Sequence, residues 1–142
     1  MSNTPDVMQN PLTNKGTAFT ADERAKYGLT GRLPVAVETL DQQAARAYRQ
    51  FASYEKDMEK YIFLDQLHNR SEVLYYKLLT DHLAEMLPIV YDPTVGEAIK
   101  QWSRDYRRSR AVYLDVNHPE NIRASFATLG LGADDVDLLV VS

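Results

Sequence analysis

The chain has 142 residues, 44% of them hydrophobic and 25% charged, with 16 Lys and Arg against 20 Asp and Glu, a formal net charge of −4 and no cysteine. That length and apolar content suit one domain with a buried core. The mild acidic balance argues against nonspecific nucleic-acid binding, which needs a basic surface, and the missing cysteine removes disulfides, thiol nucleophiles and thiolate metal sites.

Met1 to Asn10 holds no basic start followed by an apolar run, so no secretory signal is expected. No apolar run is long enough to span a bilayer, and the cytoplasm is the expected location. Residues 1–34 are rich in Asn, Thr, Pro and Gly and are expected to form an arm with little core of its own. Within it, Thr20-Ala21-Asp22-Glu23 fits a capping box, which predicts a short helix from Ala21 to Tyr27 stopped at Gly28. Residues 35–142 are read as the domain proper.

Thr39-Leu40-Asp41-Gln42 is a second capping-box pattern. After it Leu40, Ala44, Ala47, Phe51 and Tyr54 step by four and three, the stripe of an amphipathic helix. A further helix is predicted through Met58, Tyr61, Ile62 and Leu67, and another from Ser71 to Leu87, where Pro88 should stop it. Ile89-Val90-Tyr91 is short, apolar and β-prone. A new helix follows, capped either by Asp92 with Pro93 at its first position or by Thr94 with Glu97 completing a box. Its expected buried face is Val95, Ala98, Ile99, Trp102 and Tyr106.

The pattern then changes. Ala111 to Leu114 and Val136 to Val141 read as strands flanking a helix capped by Asn117, bearing Ile122, Phe126 and Leu129, and ended by Gly130 and Gly132. The fold expected is therefore mainly α in the first two thirds, then a β-α-β unit, α/β overall. A parallel pair normally needs cover on both faces, so the polypeptide is expected to be a piece of a longer one or to need a partner.

Few residues announce chemistry by themselves. His68, His82 and His118 have no metal-ligand spacing, and their pattern favours surface or hydrogen-bonded roles. No nucleophile elbow, dinucleotide fingerprint or P-loop is present. Arg104, Arg107, Arg108 and Arg110 have the chemistry to bind carboxylates or phosphates, but the pattern favours a solvated helix end. Tyr91 stands where a helix begins, a setting that suits an acid, yet composition alone favours a buried tyrosine with one hydrogen bond. Residue pattern alone thus yields a soluble, mainly helical domain.

Several stretches in order resemble the malic enzyme family: Asn14 to Thr20, Gly28 to Pro34, Thr39 to Gln43, Met86 to Ala98 and Tyr106 to Arg108. The most specific is Pro88-Ile89-Val90-Tyr91-Asp92-Pro93-Thr94-Val95-Gly96. The resemblance implies oxidative decarboxylation of L-malate to pyruvate and CO2 with NAD or NADP and Mg2+ or Mn2+, by a homo-oligomer that binds neither nucleic acid nor membrane. It makes Tyr91 the catalytic residue, the tyrosine taken to protonate enolpyruvate. It puts the general-base lysine, the acidic metal ligands, the substrate arginine and the dinucleotide fold beyond Ser142. No cofactor or metal site is therefore expected on this chain, and none of its own activity. Glu38, Arg46 and Arg70 match a fumarate site of some animal relatives.

Asp92 stands where many malic enzymes have Thr and resembles the malolactic branch, which makes lactate and CO2; Ser109 and Ala111 replace a usual Pro and Gly. Gly96-Glu97-Ala98 and Leu40-Asp41-Gln42-Gln43 resemble bacterial NAD-linked malic enzymes instead. A standalone assembly or regulatory domain is the reading from another class.

Overall fold

A computed structural model describes residues 4–107 and 111–140. They fall in two compact units, divided between Tyr106 and Arg107.

The first unit is helical. A one-turn helix α1 (Asp6–Gln9) and a 3-10 turn (Gly16–Ala18) lead into α2 (Ala21–Lys26). Then follow α3 (Leu40–Ala52), α4 (Asp57–Arg70), α5 (Glu72–Asp81), α6 (Leu83–Val90) and α7 (Thr94–Lys100). Both expected capping boxes form. The Thr20 hydroxyl accepts from the Glu23 amide at 3.2 Å while the Glu23 carboxylate accepts from the Thr20 amide at 3.0 Å. Thr39 and Gln42 do the same at 3.2 and 2.8 Å. Each exchange satisfies two amides that a helix start leaves without partners. Gly28, at φ 68°, follows α2 in the left-handed region that favours glycine.

The core lies where α3, α4, α5 and α6 meet. Ala44, Ala47 and Phe51 of α3 face Leu64 and Leu67 of α4, Leu74 and Leu78 of α5, and Met86 and Ile89 of α6. Burying a leucine or phenylalanine side chain is worth roughly 1.5–3 kcal/mol, and this cluster fixes the helices more than local propensity does. Ser71 alone separates α4 from α5, and its hydroxyl donates to the Asn14 carbonyl at 2.9 Å. The Asn14 side chain in turn donates to the carbonyls of Arg70 at 3.1 Å and Met8 at 3.0 Å. The arm is thereby tied to the helical junction, and it buries Phe19 and Leu29 completely.

Three expectations about this unit are corrected. Pro88 does not stop a helix: it lies inside α6, and Ile89 and Val90 are helical rather than β. The break falls earlier, at His82 (φ −130°, ψ 33°), which ends α5 and opens α6. A proline removes one backbone donor, but burial of Met86 and Ile89 on either side of Pro88 holds α6 in the core. Neither cap proposed for α7 forms: no side chain bonds its first turn, Thr94 is buried, and Glu97 accepts from Gln101 at 3.1 Å. On the face expected to be buried, Ala98 is inside, but Ile99 and Tyr106 are exposed.

In the second unit the expected β-α-β arrangement does not form, so the described residues are helical rather than α/β. Residues 111–115 and 136–140 contain no strand; Val141, the end of the second expected strand, lies outside the described residues. Leu114, Val116, Leu138 and Val140 are exposed. Two short parallel strands without layers to cover them lose to solvated backbone. The helix between them does form: α8 (Ile122–Ala127), after a 3-10 turn at Pro119–Asn121. Asn117 does not cap it, since its amide donates to the Asp115 carboxylate at 2.9 Å in a local turn. Gly130, at φ 62°, follows its end.

Candidate functional site

Tyr91 is the residue that follows α6, and its backbone is held on both sides. Its amide donates to the Leu87 carbonyl at 2.9 Å, and its carbonyl accepts from the Val95 amide at 2.9 Å. The side chain is 67% exposed, and no described residue hydrogen-bonds its hydroxyl. The buried, once-bonded tyrosine favoured by composition is therefore not what the fold builds. A phenol on a fixed backbone with a free hydroxyl can reach a substrate and give up a proton.

The surface beside it is polar. Asp92, Pro93, Gly96, Glu97, Lys100 and Gln101 line a shallow groove along α7. A Cβ at Gly96 would stand 3.3 Å from the Asp92 carboxylate, which would have to give by a few tenths of an ångström. A more apolar cavity of about 500 Å³ lies elsewhere, lined by Val7, Leu12, Phe19, Leu40, Val73 and Leu74 among others, and by none of the candidate site residues.

Of the other candidates, the fold joins two and leaves one apart. Arg46 donates to the Glu38 carboxylate at 2.7 Å and to the Thr17 hydroxyl at 3.2 Å, while Thr17 also donates to Glu38. The Thr17 hydroxyl first, then the charge of Arg46, hold the Glu38 carboxyl below the usual carboxylate range. The Arg46 Nε atom is buried with no hydrogen-bond partner. Arg70 makes no hydrogen bond or ion pair with either; it sits exposed at the end of α4. Thr17 was not singled out as a site residue in the sequence. It lies 21 positions from Glu38, and no local spacing signals their meeting.

The histidines keep ordinary roles. His82 stacks on Tyr48, His68 on Tyr75, and His118 meets Glu120 at 3.0 Å. Burial pushes the Tyr75 phenol up to about 12. In the arginine cluster, Arg104 pairs with Asp105 at 3.2 Å on the surface, and Arg108 and Arg110 lie outside the described residues. Among the described residues no three acidic or imidazole groups converge to hold a metal ion, and no helix is long and apolar enough to cross a membrane.

A family model described as malic enzyme, N-terminal domain, matches residues 68–142. Over 136 residues the chain is 50% identical to a Mycobacterium tuberculosis protein provisionally named malate oxidoreductase (NAD), covering 96% of this chain and 25% of that protein. It is 46% identical over 137 residues to NAD-dependent malic enzyme 3 of Bacillus subtilis, covering 96% and 24%. With the NAD-dependent malic enzyme of Aeromonas hydrophila it shares 42% over 138 residues, covering 97% and 24%. The chain thus spans about a quarter of the length of these relatives. By this match and the Met86 to Ala98 segment that carries Tyr91, the chain belongs to the malic enzyme family, through its N-terminal domain.

Proposed function

We propose that this chain serves as the N-terminal part of an NAD-dependent malic enzyme that converts L-malate to pyruvate and CO2, with Tyr91 as the acid that protonates enolpyruvate. The observation that carries the reading is an exposed phenol on a doubly bonded backbone, in the segment most specific to the family. In this step the Tyr91 O–H bond breaks and a C–H bond forms at C3 of the enolate form of enolpyruvate, as the C2–C3 double bond is lost and the enolate oxygen becomes the C2 carbonyl. Solvent then returns a proton to the phenolate. Hydride transfer to NAD and metal-assisted loss of CO2 are assigned to the part of such an enzyme outside the matched span. Residues 1–34 act as an arm tied down through Asn14 to the domain that begins at residue 35, and the enzyme works as a homo-oligomer in the cytoplasm.

The test compares the 142-residue chain with the complete enzyme, each given malate, NAD and Mn2+. The complete enzyme should release NADH and pyruvate in equal amounts, and the chain alone should release neither. Lactate without net NADH would assign the malolactic reaction instead. Metal-dependent NADH production by the chain alone would refute the division of labour.

Glu38, Arg46 and Arg70 are proposed as a regulatory dicarboxylate site. A bound dicarboxylate would compete with Glu38 for the Arg46 guanidinium, which is already paired. In the complete enzyme, Arg46→Ala should abolish any activation by fumarate. An unchanged response would remove this site.

A further inference from the structure

The one backbone break in the helical run from Glu72 to Val90 lies at His82, and no side chain caps either helix end there. The angle at which α6 leaves α5 bears on the site, because Tyr91 directly follows α6. While α6 itself packs on α4 and α7, one side chain from α3, Tyr48, reaches the break. The Tyr48 ring lies flat on the His82 imidazole, with centroids 3.7 Å apart and planes 3° from parallel. Its hydroxyl donates to the Glu85 carboxylate at 2.9 Å, one turn into α6. The Glu85 amide in turn donates to the His82 carbonyl at 3.1 Å. One side chain therefore grips the break and the first turn after it. Tyr48 also lies near-parallel to fully buried Phe51, with centroids 6.2 Å apart, so the grip is anchored in the core.

Beyond Glu85, α6 is held against the core even though Pro88 removes one of its backbone donors. Met86 and Ile89 are buried, and the Tyr91 amide closes the last turn on Leu87. A change of angle at His82 would be carried along the helix to Tyr91. We propose that Tyr48 is a positioning residue for Tyr91, setting through His82 and Glu85 the angle of α6 and hence the place of the phenol. This rests on the reading of Tyr91 as the acid. Misplacing a reacting group by about 1 Å can cost on the order of a hundredfold, and loss of one stack and one hydrogen bond should cost less.

The experiment is a double-mutant cycle in the complete enzyme. Tyr48→Leu should lower kcat about tenfold with the malate KM within about twofold, since an interaction felt in the transition state is lost. Tyr48→Phe keeps the ring and should recover most of that loss. In a Tyr91→Phe background, Tyr48→Leu should lower kcat no further, because it acts only through the phenol. Should Tyr48→Leu fail to fold, His82→Leu removes the stack from its other partner and is judged by the same criteria. An unchanged kcat in Tyr48→Leu, or the same tenfold loss persisting in the Tyr91→Phe background, would overturn the proposal while leaving Tyr91 as the acid. Normal turnover by Tyr91→Phe alone would overturn the reading of Tyr91 and this inference with it.

Discussion

In the complete enzyme, Tyr91→Phe is expected to lower kcat for pyruvate formation by at least about a hundredfold, the usual worth of a placed general acid. The substitution removes only the hydroxyl. That hydroxyl makes no hydrogen bond within the described residues, so the variant should fold and melt like the parent. The malate KM should stay within about twofold, because protonation follows binding and hydride transfer. Reduction of NAD in the first turnover should also survive better than steady-state pyruvate release. Rapid mixing with absorbance at the NADH band separates the two. Equal loss in both phases would mean that the hydroxyl positions substrate rather than supplying the proton.

Arg24→Ala should be among the more damaging single changes to stability. Arg24 is only 8% exposed, yet among the described residues no acidic side chain pairs with it. Its guanidinium instead donates to five backbone carbonyls: Phe19 at 2.8 Å, Pro34 at 2.6 Å, Val35 at 3.3 Å, and Thr17 and Ala36 at 3.1 Å each. One planar fork thus gathers the chain on both sides of α2. Hydrogen bonds to a charged group contribute about 1.5–3 kcal/mol each, but they are not additive. Pro34, Val35 and Ala36 lie in an exposed stretch where water can replace the donor. The expected net loss is therefore roughly 2–4 kcal/mol, a large share of a typical domain's stability. It should appear as a lower urea midpoint and as faster proteolysis between residues 17 and 36. Arg24→Lys keeps the charge but not the fork and should fall between. A midpoint equal to the parent's would show that the carbonyls are held by other means.

The contrast between these two residues shows which features could be read from the chain. Signals that act within four residues were legible: the Thr20 and Thr39 caps, the stop at Gly28, and the stripe of Ala44, Ala47 and Phe51. Signals that depend on distant partners were not. Nothing near Arg24 reveals the carbonyls it gathers, and nothing near Thr17 reveals Glu38. Pro88 misled because local propensity was outweighed by burial on either side of it. The strands expected at 111–114 and 136–141 rested on composition, whereas a strand exists only beside another. Tyr91 stood out by resemblance. Its residue type and neighbours alone pointed to a buried phenol, and the fold places it outside.

The single-residue joint at Ser71 limits how the length of this chain can vary. Each added residue turns a helix by about 100°. One insertion at the joint would swing Leu74 and Leu78 off the core face and bring polar neighbours round in their place. It would also carry the Ser71 hydroxyl away from the Asn14 carbonyl. The loop between α3 and α4, at 53–56, is exposed and under no such restriction. Insertions and deletions among natural variants should therefore gather at 53–56 and be absent at the joint.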